Sequence, residues 1–164
     1  MLHIRANIFI LGLIISIPLR ASSSFDKNWS LSSEMDNVKV WQLKADSDVT
    51  GSWQEKKPLK KLDWSKVGTE SFFKKFEADK IKMLSFVGIR DWKAHKYQWS
   101  KLPLGHELKI EGHYVDATDK KIAFTELHYF QEHKTIQILQ TRPWSVAENH
   151  AEEFFQFINN QVQK

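Results

Sequence analysis

The stretch Gly112–Phe130 reads GHYVDATDKKIAFTELHYF. Apolar and polar residues alternate on both sides of the polar segment DATDKK, the period-2 signature of two strands joined by a turn. Working outward, strands are expected over Glu107–Val115 and Ile122–Phe130, and a third, Thr135–Thr141, follows the short turn QEHK. Pro143 ends this sheet segment. Ser145 with Glu148 three residues on has the form of a capping box, predicting a helix that runs to about Gln161. Ala147, Ala151, Phe154, Ile158 and Val162, widened by Phe155, form its apolar stripe. The fold class is therefore α+β, an antiparallel sheet packed by a C-terminal amphipathic helix.

The turn also suggests a register. Pairing Val115 with Ile122 puts Leu108, Ile110, Leu127, Tyr129, Ile136 and Ile138 on one apolar face, the natural floor for the last helix. The other face then carries Glu111, His113, Phe124, Glu126 and His128, with Glu111 opposite Glu126. Two carboxylates and two imidazoles are legitimate metal ligands or acid/base partners, and Phe124 would give a ligand an apolar wall. These five residues are the candidate ligand-binding set. Glu111, His113, Glu126 and His128 would carry any chemistry, provided that they converge on one concave site.

Upstream, Val38–Lys44 has strand composition, Ala45–Lys57 is expected to be a polar loop, and residues 24–36 are polar with Trp29 and Leu31 as anchors. Thr69 is placed to cap a short helix, ESFFKKFEAD, with Phe72, Phe73 and Phe76 on one side. This helix would supply a second layer on the opposite face of the sheet. Ile81–Arg90 (IKMLSFVGIR) is expected to be a strand, a less regular one covers Lys93–Trp99, and Pro103 and Gly105 mark a turn.

The amino terminus has a secretory form. His3 and Arg5 precede the apolar run Ile8–Ile17, Pro18 breaks it, and Ala21-Ser22-Ser23 offers a cleavage zone. Residues 1–23 are read as a signal peptide and 24–164 as one domain, secreted or periplasmic. The run is well short of the ~20 apolar residues of a membrane span, so no stable anchor is expected after cleavage. The chain has no cysteine, which excludes a thiol nucleophile, a disulfide and a lipid-modified cysteine. Eleven Phe and seven Trp must build the core.

Formal charge is +4 and unevenly spread: residues 56–109 hold fourteen Lys/Arg against six acids, and both flanks are net acidic. The stretches WQEKKPLKKLDW (Trp53–Trp64) and DWKAHKYQW (Asp91–Trp99) interleave Trp with Lys as single-strand nucleic-acid binders do. The export pattern sets nucleic acid aside as a partner. No HExxH, serine-nucleophile elbow or glycine-rich phosphate loop is present, and no cofactor is expected.

The hydrophobic pattern of HYVDATDKKIAFTELHYFQEHKTIQILQTRP (His113–Pro143), followed by SVAENHAEEFFQFINNQ (Ser145–Gln161), resembles the PsbP-like and DcrB-like α/β/α sandwich over about residues 70–162. That resemblance implies exported or accessory binding proteins without a shared catalytic set, and carries over no functional residue. The expected function is an exported, non-enzymatic binding or accessory module for a protein or cell-envelope component. The alternative is a small metal-assisted or acid/base enzyme using Glu111, His113, Glu126 and His128.

Overall fold

The computed structural model describes residues 28–57 and 63–162. The expected signal peptide falls outside the described residues. The elements are β1 (Trp29–Met35), β2 (Val38–Leu43), β3 (Asp46–Lys56), α1 (Glu70–Ser85), β4 (Arg90–Leu102), β5 (Gly105–Val115), β6 (Lys121–Phe130), β7 (Thr135–Pro143) and α2 (Ala151–Val162). The strands form one antiparallel sheet in the order β1-β2-β3-β7-β6-β5-β4. Two meanders are thus joined at β3 and β7, and α1 lies in the connection between them. Among the described residues no helix is long and apolar enough to cross a membrane.

Three expectations about elements are corrected. The polar segment after residue 45 is a central strand, β3, rather than a loop. Its inward residues are Val49, Gly51 and Trp53, so a glycine interrupts the apolar alternation, while β2 and β7 on either side take its backbone hydrogen bonds. The expected strand Ile81–Arg90 is instead the last turn of α1, a loop, and the first residue of β4. Thr69 does cap α1, its Oγ1 accepting from Phe72 N at 3.3 Å, but the helix continues past the expected end. Leu84 repeats the spacing of Phe73, Phe76 and Lys80 on the inner side, whereas Ile81 and Met83 are exposed. Gly88, with φ +78°, then reverses the chain as Ile89 N donates to Leu84 O. A short apolar run does not reveal its period, and here the helix was the better use of it.

The capping box at Ser145 and Glu148 is also overturned. Residues 144–150 are a link, Ala147 is exposed, and α2 begins at Ala151. Asn149 turns the chain into the helix, its Oδ1 accepting from Ala151 N at 3.1 Å, and His150 O takes the first helical bond from Phe154 N. The link carries the chain from β7 toward the large side chains of β1 and β2, where α2 packs.

The β5–β6 hairpin is shifted by one residue from the expected register. Tyr114 pairs with Ile122 and Val115 with Lys121. The turn sets this. Asp116 N donates to Lys120 O at 2.9 Å, and the Asp116 carboxylate accepts from Thr118 N and Lys120 N. Asp119 takes φ +64°, completing a three-residue loop of the kind that favours a left-handed last residue. Because side chains alternate, one step moves a whole strand's set to the other face relative to its neighbour. Leu108 and Ile110 therefore share a face with Phe124, Glu126 and His128, away from α2.

Two apolar clusters result. Phe154, Phe155, Phe157 and Ile158 of α2 pack with Trp29, Trp41, Leu43, Val49, Leu127, Ile136 and Ile138. On the other face Phe73 and Leu84 of α1 pack with Trp92, Leu108, Ile110, Phe124 and Phe130. No buried member of the first cluster comes from β4 or β5, and none of the second from β1 to β3. The buried residues of α2 thus cluster with those of β1, β2, β3, β6 and β7, and the buried residues of α1 with those of β4, β5 and β6.

Candidate functional site

The structure divides the predicted residues between two places. Glu126, His128 and Phe124 lie beneath α1, while Glu111 and His113 lie on the α2 side. Register shows the division directly: Glu126 pairs with Ile110 and Leu139, and Glu111 pairs with Thr125. Glu111 does not face Glu126. The four groups expected to act together do not converge, and the metal-assisted or acid/base alternative loses its geometry.

Glu126 and His128 are nearly inaccessible, at 1% and 5% exposure. Glu126 is held by Lys80 of α1, whose Nζ donates to Oε1 at 2.5 Å, and by Nε2 of Gln137 on β7. His128 Nε2 lies 3.1 Å from the same oxygen without an aligned hydrogen bond. Lys56 Nζ donates to Gln137 Oε1 at 2.7 Å, extending the network to the end of β3. Phe76 meets the His128 ring edge-on and Phe130 stacks on it, with centroids 5.0 and 5.7 Å away.

Electrostatics sorts out the charges. Burial alone would push the Glu126 carboxyl up, but opposing charge, that of the Lys80 ammonium first, outweighs burial and holds it well below the usual carboxylate range. Burial pushes His128 down, Glu126 opposes this in part, and Lys80 and Lys56 add to the lowering. Burial and the Lys80 charge also bring Lys56 down to about 8, against the pull of Glu126. We read the pair as Glu126 carboxylate with Lys80 ammonium, beside a neutral His128. The cavity next to it is about 30 Å³, lined by Lys56, Lys80, Glu126 and Gln137 with Trp92 and Phe124. That volume suits on the order of one water, whereas ligand pockets run to about 300–1,000 Å³. The arrangement ties α1 to the sheet.

Lys80 is absent from the sequence-predicted set although a signal existed. It stands four residues after Phe76 and four before Leu84, on the apolar stripe of α1, where a lysine needs a buried partner. By contrast Lys74 meets Glu70 in the exposed i,i+4 pair that a solvated helix face would show.

The buried histidine has a pH signature. Its folded-state pKa is depressed, so the unfolded chain takes up the proton more readily, and stability falls as pH drops below the ordinary value of 6.5. Thermal midpoints measured at pH 7.5 and 5.5 should fall more steeply for wild type than for His128→Gln. Parallel lines for the two proteins would show that His128 is not held neutral.

His113 belongs to a different, open group. On the α2 side, register partners align Lys93, His113, Ala123 and Arg142 across β4 to β7. A bulge between Ala94 and Lys96 turns His95 toward His113, and His95 Nε2 lies 2.5 Å from His113 Nδ1 with the rings stacked at 4.6 Å. Trp144, 50% exposed, meets the His113 ring at 5.3 Å, and Lys121 Nζ lies 3.9 Å over the indole. Burial pushes His113 down, and the charges of Lys121, His95 and Lys93 push it further, Asp91 opposing. No sequence spacing announces this group, because β4 and β5, the β6 start and the β7 end must all be in place first. Among the described residues no three His, Cys, Asp or Glu side chains are grouped to hold a metal ion.

No family model and no curated protein matches this sequence. Among solved structures the chain is similar to PA94, a protein of unknown function from Pseudomonas aeruginosa, with a TM-score of 0.51 and 10% identity over 80% of this chain and 94% of that one. At that identity the likeness concerns the fold alone.

Proposed function

We propose that this chain is an exported, non-enzymatic binding or accessory module that recognises a protein or cell-envelope component. The observation that carries the reading is the contrast between its two polar groups. In the internal one, Glu126 is held by Lys80 and Gln137 and is closed off from solvent. The other, around His95, His113 and Trp144, lies at the surface on the half of the sheet that α2 leaves bare. Half-exposed aromatic and cationic side chains on a rigid strand scaffold suit recognition, since little ordering is required when a partner arrives. The export part of the reading rests on the amino-terminal pattern from His3 to Ser23. The resemblance to PsbP-like and DcrB-like sandwiches points to the same class of role.

The test is photocrosslinking in the native cells, with benzoylphenylalanine placed at Trp144 or, as control, at the exposed Gln156 on α2. A discrete adduct at Trp144 that is missing at Gln156 is expected. No adduct, or the same adducts at both positions, would defeat the reading.

A further inference from the structure

We propose that the end of the sheet formed by Lys93, His95, His113, Lys121, Arg142 and Trp144 docks an acidic polypeptide segment, with carboxylates on the cations and an apolar side chain on the indole. The proposal rests on the binding reading above and names the partner's chemistry.

Three observations support it. First, the cations are arranged as a row rather than scattered. Lys93, His113 and Arg142 occupy one line of register partners, and Lys121 stands beside it over Trp144. Arg142 is steadied there by donating Nε to Val146 O at 3.1 Å and Nη1 to Asn149 Oδ1 at 3.3 Å. Second, the two imidazoles meet nitrogen to nitrogen amid these ammonium groups. A metal cation would meet that positive surrounding, whereas a carboxylate relieves it and favours protonation of His113. Third, acids are interspersed nearby. Glu111 pairs with Lys96 in the next register row, and Asp91 acts on His113 from β4. A continuous line of phosphates, as on a membrane or a nucleic acid, would run into Glu111. A peptide can place a neutral residue opposite it and keep its carboxylates for the row.

The charged groups facing the imidazoles are therefore Asp91, Lys93 and Lys96 from β4, Glu111 from β5, Lys121 from β6 and Arg142 from β7. Burial first, and then the surplus of cations over acids, keep the His113 imidazole neutral in the free protein to lower pH than usual. A bound carboxylate raises its proton affinity, and by linkage the peptide binds more tightly as pH falls.

The experiment uses the purified protein as its own cells produce it and a fluorescein-labelled peptide of glutamates around one leucine, read by anisotropy. Comparison arms are the same peptide with glutamine for glutamate, vesicles of anionic phosphatidylglycerol, and single-stranded DNA of equal charge. The acidic peptide should saturate, bind more tightly at pH 6 than at pH 8, and outcompete the other three. Lys93→Gln and Lys121→Gln should each weaken it by up to about fivefold, the range of one exposed charge pair. His95→Gln/His113→Gln should abolish the pH dependence, and Lys39→Gln/Lys66→Gln, elsewhere on the surface, should change nothing. Equal binding of the glutamine peptide, tighter binding of vesicles or DNA, or indifference to the Lys93 and Lys121 changes would overturn the proposal. If the Trp144 crosslink persists while the acidic peptide does not bind, this inference falls and the binding reading stands. If both are absent, both fall.

Discussion

Replacing Phe154 with alanine is expected to cost about 3–5 kcal/mol, the range for truncating a buried phenylalanine and leaving a residual cavity. A domain of this size has only about 5–15 kcal/mol in total, so the urea midpoint should drop steeply. Phe154 is fully buried, with ring centroids 4.7 Å from Trp29, 5.8 Å from Trp41 and 6.1 Å from Phe157. It rests directly on Gly51 of β3. A Cβ at Gly51 would come within 2.3 Å of Phe154 Cζ, and the ring is hemmed in by the two indoles and cannot retreat. Gly51→Ala should therefore be strongly destabilising too. The two changes should not add. In the double variant the alanine methyl enters space that the ring has vacated, so the combined loss should be smaller than the sum. Gln156→Ala, on the exposed side of α2, should leave the midpoint almost unchanged. Additive losses, or small ones, would show that α2 is not seated on Gly51 through Phe154.

Lys80→Met is expected to be destabilising by about 3–5 kcal/mol, because it leaves the Glu126 carboxylate buried without its counter-charge. Lys80 is itself largely withdrawn from water, with 11% of its side chain exposed, so solvent does little to soften the loss. Removing both partners, in Lys80→Met/Glu126→Leu, should recover most of the stability, since no charge is then left in the interior. The pH dependence identifies the cause. In wild type the Glu126 carboxyl is held below its ordinary value of 4.5, so its contribution is present above that pH and is lost as pH falls below it. In Lys80→Met burial prevails and raises the carboxyl, which then protonates at a milder pH and no longer leaves a buried charge. The gap between wild type and variant in urea midpoints should accordingly narrow as pH falls toward 4.5. A gap that stays constant from pH 7 to 4.5 would mean that Lys80 acts through packing alone.

Both predictions involve residues whose partners come from distant parts of the chain, and this is where reading the sequence alone reached its limit. Strands β5, β6 and β7, the Thr69 cap of α1 and the phenylalanine-rich side of α2 were legible because each rests on local information: alternation, a capping side chain, or spacing at three and four residues. Phe154 and Ile158 could be assigned to a core from that spacing, as could Leu127, Tyr129, Ile136 and Ile138 as part of their floor. Local information also bounded the chemistry, since the absence of cysteine is a property of composition.

The candidate site was legible only as residue types. Which of Glu111, His113, Glu126 and His128 share a face depends on a register that the Asp116 turn shifts by one residue, and one residue separates the two sides of a sheet. Likewise β3 is a strand because β2 and β7 flank it, and its glycine is there because a phenylalanine ring from α2 occupies the space of a side chain. Lys80 finds Glu126, and His95 finds His113, only after helix and sheet have packed. Local patterns determined the elements and the core-forming faces of this protein, whereas pairing between distant segments decided which polar groups are enclosed and which are open to a partner. Hydrophobic periodicity is written along the chain, but register and contact are energies shared between segments and exist only once both have been placed.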